Sequence, residues 1–297
     1  MNEQFVSGPT SGGFTTRPPP VTTSRDFLRQ KERAENFPVA LLVLPRRFRT
    51  DLRHIYQAVR VIDELGDSAP GDRTALLTDF AADLRRVWTS GEPGAAVLRR
   101  LVPTVQSRRI SRQPFEQLIE ANLVDQRTAE YRSWSDLLHY CSLSAAPIGR
   151  LVLQVFGQDS TGRHELSDQV CTALQLLEHW QDIAEDRRAG RIYLPRQDMD
   201  RFGVRPQDLD AGIASPELRR LVGYETDRAA ELLDSGAALV GQLSGWARIA
   251  VAGYVAGGRA TVRALRRCDG DVLVRPPRPR RRDVPLDLLS QLRISRV

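Results

Sequence analysis

The chain has 297 residues, with 43 basic and 37 acidic side chains, a formal charge of +6, 41% hydrophobic and 27% charged residues. This composition is that of a globular protein and excludes a disordered one. Three cysteines without a CxxC pair exclude a disulfide framework, and four scattered histidines without HExxH argue against a zinc hydrolase.

Much of the charge is confined to one end. From Arg275 to Val297 there are seven arginines and two aspartates, a net of +5, so the remaining residues are almost neutral. Lys31 is the only lysine. The first 24 residues, of which 15 are Gly, Pro, Ser or Thr, are expected to be disordered. The folded unit is expected over 25–274, and the Pro/Arg-rich segment 275–297 as a solvated tail. No signal peptide is visible and no apolar run reaches the roughly 20 residues of a spanning helix, so a cytoplasmic location is expected.

Apolar residues recur at three- and four-residue spacing, and sustained alternation is missing. The pattern predicts helices over 25–43 (broken at Pro38), 47–67, 72–89, 114–140, 145–156, 166–188, 216–243 and 245–267, in one all-α domain. In the helix over 47–67, Tyr56, Arg60, Asp63 and Asp67 fall within about 60° of one another on one stripe. Asp63 and Asp67 are one turn apart and suit Mg²⁺, a hard cation that keeps other positions for water and phosphate oxygens. In the helix over 166–188, Glu178, Asp182 and Asp186 follow at i, i+4 and i+8, with Gln175 on the same side. Arg187, Arg188 and Arg191 come next and can serve the helix dipole or hold phosphate oxygens. A DxxxD on an amphipathic helix is ordinarily a solvated face. Two such motifs, each at an apolar border with arginine nearby, also describe a two-sided Mg²⁺–diphosphate site, and spacing alone leaves both readings open.

At these residues the chain resembles the squalene/phytoene synthase family. The motifs are Tyr56-xxx-Arg60-xx-Asp63-Glu64-xx-Asp67, then Tyr140-Cys-xx-Ser-Ala-xx-Ile-Gly149, then Gln175-xx-Glu178-xxx-Asp182-xx-Glu185-Asp186, followed by Gly190-Arg-Ile-Tyr-Leu-Pro195. The opening Glu35-Asn-Phe-Pro-Val-Ala40 and the late Ala252-Gly-Tyr-Val-Ala-Gly-Gly-Arg-Ala260 also match. The resemblance implies an isoprenoid (terpenoid) synthase helical bundle with a central cavity. It is nearest the hopanoid-pathway branch, squalene synthase C, whose activity is hydroxysqualene synthesis: presqualene diphosphate loses diphosphate and water captures the rearranged cation.

The resemblance also implies roles. Mg²⁺ would be held by Asp63, Asp67, Glu178, Asp182 and Asp186, with Arg60 stabilising the leaving charge and Tyr140 near the carbocation. Phe37, Tyr56, Arg60, Asp125, Gln175, Arg191 and Tyr254 would contact substrate, and Leu41, Ala145 and Ile148 would line a hydrocarbon tunnel or simply pack in the core. His179 and Trp180 are read as packing residues. Glu178 departs from the family's usual Asn and Glu64 from its frequent Asp, while Ala146 replaces a small polar residue frequent in relatives. Synthesis of presqualene diphosphate, squalene or phytoene from farnesyl or geranylgeranyl diphosphate is the alternative activity, and a non-catalytic helical scaffold the alternative outside enzymes. No dinucleotide fingerprint supports bound NADPH. The prenyl diphosphate substrate is the expected partner, along with pathway enzymes. The tail lacks a nucleic-acid recognition element, and either attraction to the inner face of an anionic membrane or no partner at all fits it.

Overall fold

The computed structural model describes residues 44–280 and 283–294. The helix expected over 25–43, the Glu35–Ala40 motif, Phe37 and Leu41 lie outside the described residues.

Helix α1 (Arg46–Asp67) buries Phe48, Leu52, Ile55, Ala58, Ile62 and Leu65 along one face, as the spacing predicts. Helix α2 (Arg73–Arg85) starts where the Asp72 carboxylate accepts the Ala75 N–H at 3.0 Å. Helix α3 (Ala96–Arg108) is absent from the expected set because Pro103 and the Gly91–Gly94 cluster read as breaks. It forms because Val97, Leu98, Leu101 and Val105 share a buried face, which outweighs the one hydrogen bond that Pro103 cannot donate. The Asp83 carboxylate also accepts the Gly94 and Ala95 N–H groups at 2.6 and 2.7 Å, fixing the entry to that helix.

The single helix expected over 114–140 is two: α4 (Gln113–Asp125) and α5 (Trp134–Ser144). A capping box starts the second, with Ser133 Oγ accepting the Asp136 N–H at 3.2 Å and the Asp136 carboxylate accepting the Ser133 N–H at 3.0 Å. The residues between them pair with a later segment: Ile192 N–H donates to Ala129 O (2.8 Å), Arg196 N–H to Tyr131 O (2.9 Å) and Gln197 N–H to Arg132 O (3.0 Å). Helix α6 (Ala146–Val155) precedes α7 (Thr161–Gln181) and the short α8 (Ile183–Arg188). The helix expected over 166–188 therefore starts earlier and breaks at Asp182, which adopts φ −105°, ψ 16°. After α9 (Arg196–Phe202) and a 3₁₀ turn (Pro206–Asp210) come α10 (Pro216–Gly236), α11 (Leu239–Gln242) and α12 (Gly245–Arg267). Helix α13 (Asp283–Ile294) ends the described chain.

Within the segment expected as a tail, helix α13 packs on α12. Arg263 pairs with Asp287, and Arg267 Nη1 reaches Asp283 Oδ2 at 3.0 Å, while Leu288 joins the core. These contacts pair carboxylates on α13 with arginines on α12, so this part of the tail is attached through two oppositely charged faces. Residues 275–280, the Pro/Arg link before it, form no helix, and Pro277 is buried, its carbonyl accepting from Gln181 at the end of α7.

The core has two clusters. Helices α5, α7, α10 and α12 enclose one around Trp180, Leu176, Leu218 and Val255; α1 to α4 and α6 enclose the other around Leu52, Ile62, Leu98 and Phe115. Helix α7 packs along α10 so closely that a Cβ at Gly236 would lie 2.8 Å from Leu166 O and from Val170 N. Backbone atoms cannot yield there, so Gly236→Ala is expected to destabilise the protein by about 1–3 kcal/mol in urea unfolding.

Glu225 on α10 is fully buried, and burial, with the nearby Asp198 carboxylate, pushes its pKa up to about 8 from an ordinary 4.5. Arg228 donates to Asp198 at 3.0 Å and to Glu225 at 3.4 Å, and its guanidinium lies 3.6 Å above the Trp134 ring. The folded chain thus binds a proton at Glu225 more tightly than the unfolded chain does. Its contribution to stability is present in full below about pH 4.5 and lost as pH rises towards 8. The melting temperature of Glu225→Gln relative to the parent chain should therefore rise steadily between pH 5 and 8 and then level off. A pH-independent difference would show that Glu225 does not carry that proton.

Candidate active site

The two core clusters meet at a seam where Phe156 packs against both, and hydrogen bonds and ion pairs link several of the sequence-predicted polar residues. On α1, Arg60 and Asp63 lie one turn apart with Arg60 Nη1 3.9 Å from Asp63 Oδ2. Tyr56 is half-buried on the same stripe, and Asp67 is exposed at the helix end. Arg191 Nη2 donates to Asp67 Oδ1 at 2.7 Å across 124 residues of sequence. The pair joins the first acidic motif to the segment that follows the second. Of the three arginines after α7, only Arg191 turns this way: Arg187 pairs with Asp210 at 2.8 Å, and Arg188 donates to Ala184 O at 3.0 Å.

Asp125, the last residue of α4, accepts the Tyr140 hydroxyl at 2.7 Å and the Tyr131 hydroxyl at 3.3 Å. Burial raises its pKa, and the Tyr140 hydrogen bond and the Arg191 charge oppose the rise. Burial also holds the Tyr140, Tyr131 and Tyr193 phenols well above their ordinary range. The rings form a continuous aromatic group: Tyr131–Tyr140 at 5.3 Å, Tyr140–Tyr193 at 5.8 Å and Tyr131–Tyr193 at 5.7 Å between centroids. Tyr131 and Tyr193 are not among the residues expected at the site. Tyr193 lies in the Gly190–Pro195 motif, which is a usable signal; Tyr131 has none, because its place depends on the break between α4 and α5.

On α7, Gln175 and His179 touch through Nε2 atoms 3.2 Å apart. The His179 ring stacks on Tyr193 with centroids 3.6 Å apart, and its Nδ1 lies 3.7 Å from Asp186 Oδ2. The packing role expected of His179 thus has a definite partner at the site. Trp180 is fully buried on the opposite face and donates to Glu225 O at 3.2 Å. The break at Asp182 changes the course of the chain, so Glu178, Asp182 and Asp186 do not continue along one straight helix. Burial raises the Asp182 pKa, and Asp186 and then Glu185 raise it further, whereas Arg278 of the Pro/Arg link acts in the opposite direction. Tyr254 on α12 borders the α1–α4 core cluster, with Cys171 close enough to perturb it electrostatically.

Among the described residues, no group of three or more His, Cys, Asp or Glu stands ready to hold a metal ion. The five carboxylates of the expected metal set are spread over α1 and over α7–α8, with Asp67 already paired to Arg191. Their chemistry nonetheless fits a hard divalent cation, since all are oxygen donors, and burial together with the Asp186 and Glu185 charges raises the Asp182 pKa.

Residues 30–287 match the squalene/phytoene synthase family. A hydroxysqualene synthase of Rhodopseudomonas palustris is 33% identical over 74% of this chain and 76% of its own length. A phytoene synthase of Mycobacterium bovis is 32% identical over 71% of this chain and 70% of its own. The crystal structure of squalene synthase HpnC from Alicyclobacillus acidocaldarius superposes with a TM-score of 0.76 at 39% identity, covering 83% of this chain and 94% of that one. With its all-helical fold, paired acidic helices and match across most of its length, this chain belongs to the squalene/phytoene synthase family of prenyltransferase-type enzymes.

Proposed function

We propose that this enzyme converts presqualene diphosphate to hydroxysqualene with release of diphosphate. The observation that carries the reading is the part-buried Asp125–Tyr140 hydrogen bond, with its aromatic neighbours, beside the Arg191–Asp67 bridge. There the Arg191 charge stands beside the buried rings of Tyr131, Tyr140 and Tyr193. The similarity to a hydroxysqualene synthase supports the specific reaction. The similarity to a phytoene synthase favours, as the second reading, condensation of two prenyl diphosphates.

Arg60 and Arg191 bind the diphosphate oxygens, for which a planar guanidinium offers two parallel donors. The departing group takes the electron pair of its C–O bond and leaves a cyclopropylcarbinyl cation. Mg²⁺ held by Asp63, Asp67, Glu178, Asp182 and Asp186 would supply Lewis acidity to that leaving group. Tyr140 stays a neutral phenol, because burial raises its pKa and its hydroxyl keeps its proton while donating a hydrogen bond to Asp125. It therefore stabilises the cation with its ring face and dipole rather than as a phenolate. Tyr193 and His179, stacked behind it, hold the ring in place and exclude bulk water.

Purified protein incubated with Mg²⁺ and presqualene diphosphate, without NADPH, should form hydroxysqualene. Turnover of farnesyl diphosphate alone, with none of presqualene diphosphate, would sink the reading in favour of condensation. Asp63→Ala and Asp182→Ala should each lower turnover by about 100-fold or more, with circular dichroism unchanged. Asp125→Asn removes the charge that the Tyr140 hydroxyl donates to, and kcat should fall about 10- to 100-fold in steady-state assays.

A further inference from the structure

Ser144, the last residue of α5, carries a polar atom that the fold leaves unused. Its Oγ is closed off from solvent and has no hydrogen-bond partner among the described residues. Other hydroxyls in the helices bond back to the carbonyl one turn earlier: Thr78 to Thr74 O at 2.8 Å, Thr226 to Val222 O at 2.7 Å, Thr261 to Gly257 O at 3.2 Å. Ser144 makes no such bond. A buried hydroxyl left unsatisfied forgoes the hydrogen bonds it made in water, so a bound water or ligand atom is its natural complement.

The position of Ser144 follows from contacts on either side of it. Tyr140, one turn earlier on the same face, has its ring 6.3 Å from that of His179 on α7. Gly149, five residues later, meets α7 at Ser167 and Cys171, where an added Cβ would come within 2.3 and 2.7 Å of their side-chain tips. Ser144 thus stands beside the stretch of α7 between Cys171 and His179, about 6 Å along the helix from Tyr140 and farther from the acidic end of the seam. Its neighbours divide between the two cores, Leu143 belonging to one and Ile148 packing against the other. Its hydroxyl is therefore a polar group at an apolar seam, past the aromatic group that would face the cation.

We propose that Ser144 is a positioning residue that holds the water molecule which captures the carbocation. The inference rests on the hydroxysqualene reading above. One lone pair of the held water forms the new C–O bond to the cationic carbon, and the proton lost from that oxygen passes to the released diphosphate, which is a base. No oxidant or reductant is needed. Without a water held at that point, the same cation is discharged by loss of a proton from a neighbouring carbon to the same base, giving a hydrocarbon with one more double bond instead of the alcohol. Ser144 therefore sets the partition between alcohol and hydrocarbon rather than the ionisation itself.

The test is product analysis by gas chromatography and mass spectrometry on presqualene diphosphate with the full chain, in ¹⁸O water, normalised to diphosphate released. The parent chain should give ¹⁸O-labelled hydroxysqualene. Ser144→Ala should lower the ratio of alcohol to hydrocarbon about tenfold, and Ser144→Thr, which keeps a hydroxyl, should restore most of it. Ser144→Gly removes the same hydroxyl and supplies the readout independently if the alanine variant is unstable. An unchanged ratio in the hydroxyl-free variants, with labelled hydroxysqualene from the parent, overturns the role of Ser144 alone. Failure of the parent to turn over presqualene diphosphate overturns the functional reading and this inference with it.

Discussion

Three backbone hydrogen bonds, from Ile192, Arg196 and Gln197 to the carbonyls of Ala129, Tyr131 and Arg132, hold the break between α4 and α5 against the chain that leaves α8. The candidate site depends on this pairing. It brings Tyr131 to Asp125, carries Tyr193 against both Tyr140 and His179, and leaves Arg191 able to reach Asp67. A continuous helix over the same residues would bond its own carbonyls and offer none to the later segment. The interruption is therefore what joins the two acidic motifs, which otherwise lie on separate helices with separate cores behind them.

Two carboxyl groups, Glu225 fully buried and Asp125 partly so, show how differently the fold treats charge. Glu225 is enclosed in the core with Asp198 and a single arginine, and its proton is held up to about pH 8. Its surroundings are packing residues, Trp134 and Trp180 among them, and the cluster ties α9 and α5 to α10. Asp125 is also raised by burial, but two phenol hydroxyls and the Arg191 charge favour its ionised form. The first arrangement serves stability. The second leaves a polarised phenol at the border of an apolar seam, which is chemistry suited to a cationic intermediate.

The arginine-rich end of the chain has a structural part as well as a charge. Its helix α13 is paired to α12 through Arg263 and Arg267, and the link before it is fastened to the end of α7 at Pro277. That attachment brings Arg278 within electrostatic reach of Asp182. One charge of the arginine-rich end, that of the exposed Arg278, thus acts on the second acidic motif. No described helix is long and apolar enough to cross a membrane.

The sequence by itself determined the all-helical class, through apolar residues at three- and four-residue spacing, and the α1 stripe of Tyr56, Arg60, Asp63 and Asp67, because a straight helix has a known pitch. Local spacing suffices wherever partners are one turn apart. It also contained the capping box at Ser133 and Asp136, which marks the start of α5, although the apolar pattern running past it concealed the break. Tertiary structure alone decided the kink at Asp182, the survival of α3 despite Pro103, and the anchoring of α13. It also decided which of three neighbouring arginines faces the site, and that Tyr131 and Tyr193 belong to it. Each of these turns on contacts between residues tens of positions apart, whose energies come from burial and pairing across helices and leave no periodic trace in the chain.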